Sequence, residues 1–306
     1  MVAPPSPSTG PSRPAQAPAA DAPRACRHTS MAYVHANGWD FYCEIAGSGP
    51  DLVFIHGEIH GIDYWEHQIA EFSRDHRCLI YERRGHRRTG MAPFGFSLEN
   101  QTRDLEALIN HFGVHQPTLV AVAFGTTIAA NYALRHPADV RGIVMVAWSE
   151  MHEADQYLER WIRASDKVVR ILENDGRDAL LDFLRREAGR SLYMVVPLDS
   201  PIREACVQMF GGHPADEYRR GMLEFATSVP ALVEPFSRLA LPVLGVCGEH
   251  DPFPDKPEVL AAMTGFREAP PIAGAGRFIQ WEKPEAFNAL VRGFIADCAA
   301  GRRSSD

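Results

Sequence analysis

Lysine is nearly missing from this chain, and so are paired cysteines, long apolar runs and any surplus of positive charge. Three lysines stand against 28 arginines, a compositional bias to which no function attaches. The six cysteines (Cys26, Cys43, Cys78, Cys206, Cys247, Cys298) form no C-x-x-C pair and have no histidines at zinc spacing. That excludes a zinc module and a disulfide framework, and it points to reduced thiols in a cytoplasmic protein. The longest uncharged run, Gln116 to Leu134, is broken by Thr, Gly and Asn, so a membrane span is not expected. The net charge is -8. Within the first thirty residues Arg13, Arg24 and Arg27 face only Asp21, so the remaining body is more acidic still. Nucleic acid and anionic membranes are excluded as expected partners.

What is present is an ordinary globular composition, 45% hydrophobic and 23% charged over 306 residues, enough for one large core with an inserted subdomain. Residues 1–29 are Pro-, Ala- and Ser-rich without an apolar run and read as a disordered tail, neither signal peptide nor anchor. Short β-rich runs then recur with helical segments between them: Asp51–Ile55, Arg77–Tyr81, Thr118–Val122, Gly142–Ala147 and Pro242–Cys247. This alternation predicts a mostly parallel sheet with helices on both faces. Ala32–His35 and Asp40–Ile45, around Asn37-Gly38, predict an antiparallel hairpin at its edge.

From Ser149 to about Leu239 the strand signal stops. Amphipathic helical spacing replaces it at Asp155–Leu172, Asp178–Glu187 and Asp216–Phe225. The expected organisation is a core in two parts, 30–148 and 240–300, interrupted by a helical lid at 149–239 and followed by a short disordered end at 301–306. Such a lid would lie over the carboxyl ends of the strands, where open parallel sheets bind ligands. Among its apolar residues, Trp161, Phe183, Tyr193, Met194 and Phe210 are expected in the core rather than against a ligand.

Six motifs follow in order: LVFIHG (Leu52–Gly57), YERRGHRRTG (Tyr81–Gly90), SLENQTRDLEALINHFGV (Ser97–Val114), AVAFG (Ala121–Gly125), GEHDPF (Gly248–Phe253) and GAGRFIQWEKPEAFN (Gly274–Asn288). In this order they resemble the α/β-hydrolase superfamily, in its lid-bearing branch of esterases, epoxide hydrolases, dehalogenases and carbon–carbon hydrolases. The family's G-x-S-x-G elbow reads here Ala121-Val122-Ala123-Phe124-Gly125, so the nucleophile position holds Ala123. The family's catalytic histidine, after Gly-x-Gly and before W-E-K-P, is Arg277. Only the acid remains, as Asp251.

Alanine offers no attacking atom, and a guanidinium cannot accept a proton, so acyl-enzyme hydrolysis is not expected. What the resemblance still implies is a pocket with the backbone N–H groups of Phe124 and Glu58 as oxyanion donors over Ala123. Arg277 faces that pocket, either as a plain ion pair with Asp251 or as an anchor for a substrate carboxylate or enolate. His56 and His86 stand where the family braces loops. Glu58 and His60 occupy the oxyanion loop, where either could be a relocated base or a solvated tip. Trp148, Ser149 and Glu150 follow the sixth strand, and His250 adjoins Asp251. The candidate catalytic residues are therefore Glu58, His60, Asp251 and Arg277, and the candidate substrate-binding residues His56, Gly57, Ala123, Phe124, Trp148 and Trp281.

Three readings remain open. The first is a cofactor-independent enzyme of lyase or cyclase type, carrying out elimination, cyclisation or proton abstraction on a small carbonyl metabolite in secondary metabolism. The second is a binding protein without turnover. The third is a hydrolase in which a carboxylate activates water. Each needs a small-molecule substrate or ligand; a homodimer is left open, and neither a cofactor nor a metal is implied.

Overall fold

The Asn37-Gly38 turn opens the described structure, because both residues take positive φ (44° and 73°), which favours a tight hairpin with the right-handed twist of its strands. In a computed structural model of the chain the described residues are 29–147, 154–187, 194–228, 238–251 and 265–301. Strands β1 (Thr29–Ala36) and β2 (Trp39–Ala46) pair antiparallel through this turn, Ala36 opposite Trp39. Thr29, the last residue of the expected tail, already pairs with Ala46.

The parallel strands follow as β3 (Asp51–Ile55), β4 (Arg77–Tyr81), β5 (Thr118–Val122), β6 (Gly142–Val146), β7 (Val243–Val246) and β8 (Phe266–Glu268). The sheet order is β1-β2-β4-β3-β5-β6-β7-β8, with every pair from β4 to β8 parallel and the hairpin at one edge. Every residue of β5, β6 and β7 is buried, which is why these stretches read as continuous apolar runs. Strand β8 escaped the sequence reading because it is three residues long and carries exposed Arg267 and Glu268 at the far edge.

Four core helices flank the sheet. Helix α1 (Glu66–Phe72) contacts the C-terminal helix, while α2 (Leu98–Phe112) packs against α3 (Phe124–Arg135). Ser97 caps α2 by accepting the Asn100 N–H, and Gly113 ends it in the left-handed conformation at φ 57°. Between β6 and β7 lies a helical insertion of α4 (Ala154–Asn174), α5 (Gly176–Arg186), α6 (Arg203–Phe210) and α7 (Met222–Ser228). The periodicity at Asp216–Phe225 does correspond to helix, but Glu217–Gly221 is a π-helical turn ahead of α7. Short α8 (Ile279–Glu282) and long α9 (Pro284–Ala299) close the chain. Among the described residues no helix is long and apolar enough to cross a membrane.

Sheet register decides where chemistry can gather. Ile55 lies opposite Ala121, and Val122 opposite Val146, so β3, β5 and β6 end at the same level. Their next residues, His56–Gly57, Ala123 and Ala147, therefore form one rim. From β3 the chain goes to β4 on one side and then to β5 on the other, so the order of strand addition reverses between β3 and β5, the place where such parallel sheets leave a crevice.

Candidate functional site

At the rim, β5 turns into α3 through Ala123, whose φ of 48° and ψ of -127° put an L-residue in a strained conformation. Strain of this kind costs on the order of 1–3 kcal/mol and persists only where neighbours enforce it. The Ala123 N–H donates to Val146 O at 2.9 Å, and Thr126 Oγ1 donates to Ala123 O at 2.6 Å. Gly125 permits the tight turn, since a Cβ there would lie 2.6 Å from Ile55 O and 2.7 Å from His56 O. The elbow is thus fully built around a methyl group.

Arg277 stands where the sequence places the lost histidine. Its Nη1 lies 3.3 Å and 3.4 Å from the two oxygens of Asp251, and its Nη2 donates to Ala147 O at 3.2 Å. The Asp251 side chain is 1% exposed and that of Arg277 9%. Asp251 pairs with Arg277 and is not among the residues lining the cavity.

The cavity over Ala123 has about 420 Å³ of empty space, its mouth included, and narrows inside. Its walls include Glu58, His60, Tyr64, Phe124, Phe210 and Arg277. His60 stacks on Tyr64, centroids 4.6 Å apart, and its Nδ1 is buried without a hydrogen-bond partner. Burial, and then the positive charge of Arg277, hold the His60 pKa well below the ordinary histidine value, so the ring is neutral. Gly57 is required beside it: a Cβ there would meet His60 Nδ1 at 2.9 Å and Ala123 Cβ at 3.0 Å. The insertion supplies Val195 and Phe210, the latter buried in the core as expected and also facing the cavity.

Glu58 also borders the cavity, yet it is tied down on its other side. Arg83 Nη2 donates to its Oε2 at 2.8 Å, with both side chains nearly fully buried. Glu58 Oε1 lies 3.8 Å from His86 Nε2, which in turn lies 2.9 Å from Glu217 Oε1. The other oxygen of Glu217 pairs with His213 Nδ1 at 2.8 Å. Burial pushes the Glu217 pKa up, but His213 and His86 outweigh it and hold the carboxylate at about 2. Burial likewise opposes a charged His86, and Glu217 and Glu58 overcome it, raising its pKa. This cluster joins core loops to the insertion, and His213 and Glu217 were missed from sequence. Their i, i+4 spacing was the available signal.

Other expected site residues lie elsewhere. His56 is fully buried: its Nε2 accepts the Arg83 N–H at 3.0 Å and its Nδ1 meets Gly57 O at 2.7 Å, contacts that brace the loop. Trp281 is one layer back, against Tyr64 and Phe278 at 5.1 Å and 6.3 Å between centroids, because α8 turns it away from the cavity. His250 is exposed. Trp148, Ser149, Glu150, Tyr193 and the Trp161 side chain lie outside the described residues. The second motif is structural: Arg84 donates to both oxygens of Asp104 at 2.9 Å and 2.7 Å.

Residues 50–284 match the family model for the alpha/beta hydrolase fold. RutD of Azorhizobium caulinodans, a protein named for carbamate hydrolysis, is 27% identical over 140 residues, 45% of this chain and 52% of its own length. A haloalkane dehalogenase of Bradyrhizobium diazoefficiens is 25% identical over 219 residues, 68% of this chain and 67% of that protein. The chain spans about half or less of several curated relatives it matches. Among solved structures, a carboxylesterase of Nitrososphaera gargenis superposes with a TM-score of 0.75 at 21% identity, covering 89% of this chain and all of that one. Epoxide hydrolase VrEH1 from Vigna radiata gives 0.69 at 18%, covering 88% and 98%. These likenesses speak for the fold.

Proposed function

The chain belongs to the alpha/beta hydrolase fold family, and from that premise we propose that it catalyses a non-hydrolytic acid/base step on a small carbonyl compound bearing or developing negative charge. The observation that carries this reading is His60: a neutral ring with an unpartnered buried nitrogen, sharing one narrow cavity with Arg277 and Ala123. A buried polar atom without a partner is costly, and a bound substrate supplying one removes that cost.

In this reading Arg277 holds the carboxylate or enolate oxygen, as a fixed positive charge in a desolvated site does well. His60 takes the proton from the carbon beside the carbonyl and returns it. Ala123 is floor space where a nucleophile would otherwise stand, and the helical insertion acts as the lid. Glu58 drops out as the leading base, because Arg83 already engages it.

Deuterium uptake tests the proposal. A panel of 2-oxo and 3-oxo carboxylates is incubated in D2O with the protein, and exchange beside the carbonyl is followed by NMR. We expect exchange with at least one member, lowered about two to four orders of magnitude by His60→Gln. Absence of exchange across the panel, with an intact ester-hydrolysis burst, would sink it. A panel member that binds, loses binding in Arg277→Ala, and never exchanges favours the binding-protein alternative.

A further inference from the structure

Three atoms that carry lone pairs converge beside the cavity: Glu58 Oε1, His86 Nε2 and Glu217 Oε1, all within 4.8 Å of one another and all on buried residues. Each group is aimed there by a bond on its far side. Arg83 holds the other oxygen of Glu58 at 2.8 Å, and His213 holds the other oxygen of Glu217 at 2.8 Å. His86 Nδ1 lies 3.0 Å from Arg84 O, a contact that needs the proton on Nδ1, so in the neutral ring Nε2 keeps its lone pair. Ile59 N–H donates to that same Nε2 at 3.2 Å, and with Nε2 as an acceptor Glu217 Oε1, 2.9 Å away, is left without a hydrogen-bond donor.

Two carboxylate oxygens this close in a buried space need a positive centre between them, either a proton on His86 Nε2 or a metal ion. A proton or a metal ion on Nε2 would use the one lone pair that the Ile59 N–H faces, so either displaces that contact; an ion, unlike a single proton, can bond both carboxylates at once. Bonds of about 2.0–2.2 Å from one ion to carboxylate and imidazole ligands leave those ligands roughly 3–4 Å apart. The separations about His86 Nε2, 2.9 Å and 3.8 Å, cover that span.

We infer that Glu58, His86 and Glu217 form a binding site for one divalent first-row transition-metal cation, with Arg83, His213 and the Arg84 carbonyl orienting the ligands. Mixed oxygen and imidazole ligands without thiolate suit manganese, iron or zinc. The site lies where the π-helical turn of the insertion meets the core loops, and π turns concentrate at functional positions. Glu58 belongs to both the cluster and the cavity wall, so a bound cation would border the pocket. The absence of zinc spacing in the sequence does not bear on it, since the ligands come from three separate segments. The inference stands apart from the proton-transfer reading.

The test uses the untagged full chain, stripped with a chelator and titrated with Co2+, reading visible absorption and thermal unfolding. We expect a d–d band saturating at one equivalent together with a raised Tm. Glu217→Gln and Glu58→Gln should weaken binding at least a hundredfold, and His213→Gln about tenfold, as loss of an orienting partner does. His250→Gln, at an exposed histidine, should change nothing. If Glu217→Gln fails to fold, Glu58→Gln with His86→Asn takes its place, and the wild-type titration needs no variant at all. Lack of any band, a band unchanged by the cluster variants, or a band lost with His250→Gln overturns the site.

Discussion

Two polar regions meet at the loop Gly57–Gly61, and they solve the burial of charge in opposite ways. On the strand-rim side, Arg277 and Asp251 form a pair of opposite charges whose members come from two core loops, and Arg277 also donates to Ala147 O. On the insertion side, Glu58, Glu217, His86 and His213 bring two carboxylates together with two imidazoles and leave Glu217 Oε1 and His213 Nε2 unmatched. The first region occupies the position of a catalytic triad and has lost its reactive atoms. The second occupies no family motif as a unit and has kept groups that can bind. Loss of the expected chemistry at one place is therefore weak evidence that the molecule has none.

The sharpest way to break the comparison is to restore the first region. Ala123→Ser combined with Arg277→His rebuilds nucleophile and base on an elbow already strained into shape. We expect ester hydrolysis about three orders of magnitude above either single variant, or ~4 kcal/mol of transition-state stabilisation, measured with p-nitrophenyl acetate. No gain would mean that His60 and the narrow cavity, not the missing triad, set the limit.

Next in size is the ion pair. Arg277→Met leaves Asp251 buried without its counter-charge and should cost about 3 kcal/mol in urea unfolding, with Arg277→Met plus Asp251→Leu recovering most of it. If the double variant is as unstable as the single, Asp251 owes its place to other partners. On the insertion side, His213→Phe removes the donor to Glu217 Oε2 and should cost about 2 kcal/mol. A smaller loss than that would show that water reaches the cluster. The smallest effect is a gain: Ala123→Gly relieves the strained elbow and should add about 1 kcal/mol of stability, read from the Tm. A loss would show that the methyl group's packing outweighs its strain.

Much of the fold was legible because its signals are local. Five strands were placed within one residue, since a fully buried parallel strand is a short apolar run. The Asn37-Gly38 hairpin was legible because few dipeptides accept two positive φ angles. The absence of nucleophile and base was legible too, by motif order. Less of the site was. His56 was expected to brace its loop and was also counted as a substrate contact, and its ring accepts the Arg83 N–H, as a brace does. Trp281 sat in a motif near Arg277, yet one turn of α8 carries it behind Phe278.

The sequence by itself determined seven of the eight strands, the insertion's place between β6 and β7, and the impossibility of acyl-enzyme chemistry at Ala123, because periodicity, turn chemistry and residue identity are properties of neighbours along the chain. Only the tertiary structure decided that Glu58 is held by Arg83, that His60 is the neutral group left facing the cavity, and that Glu217 and His213 come over from the insertion to meet His86. Convergence of side chains from separate segments is set by how loops pack on a finished sheet. No spacing along the chain encodes it.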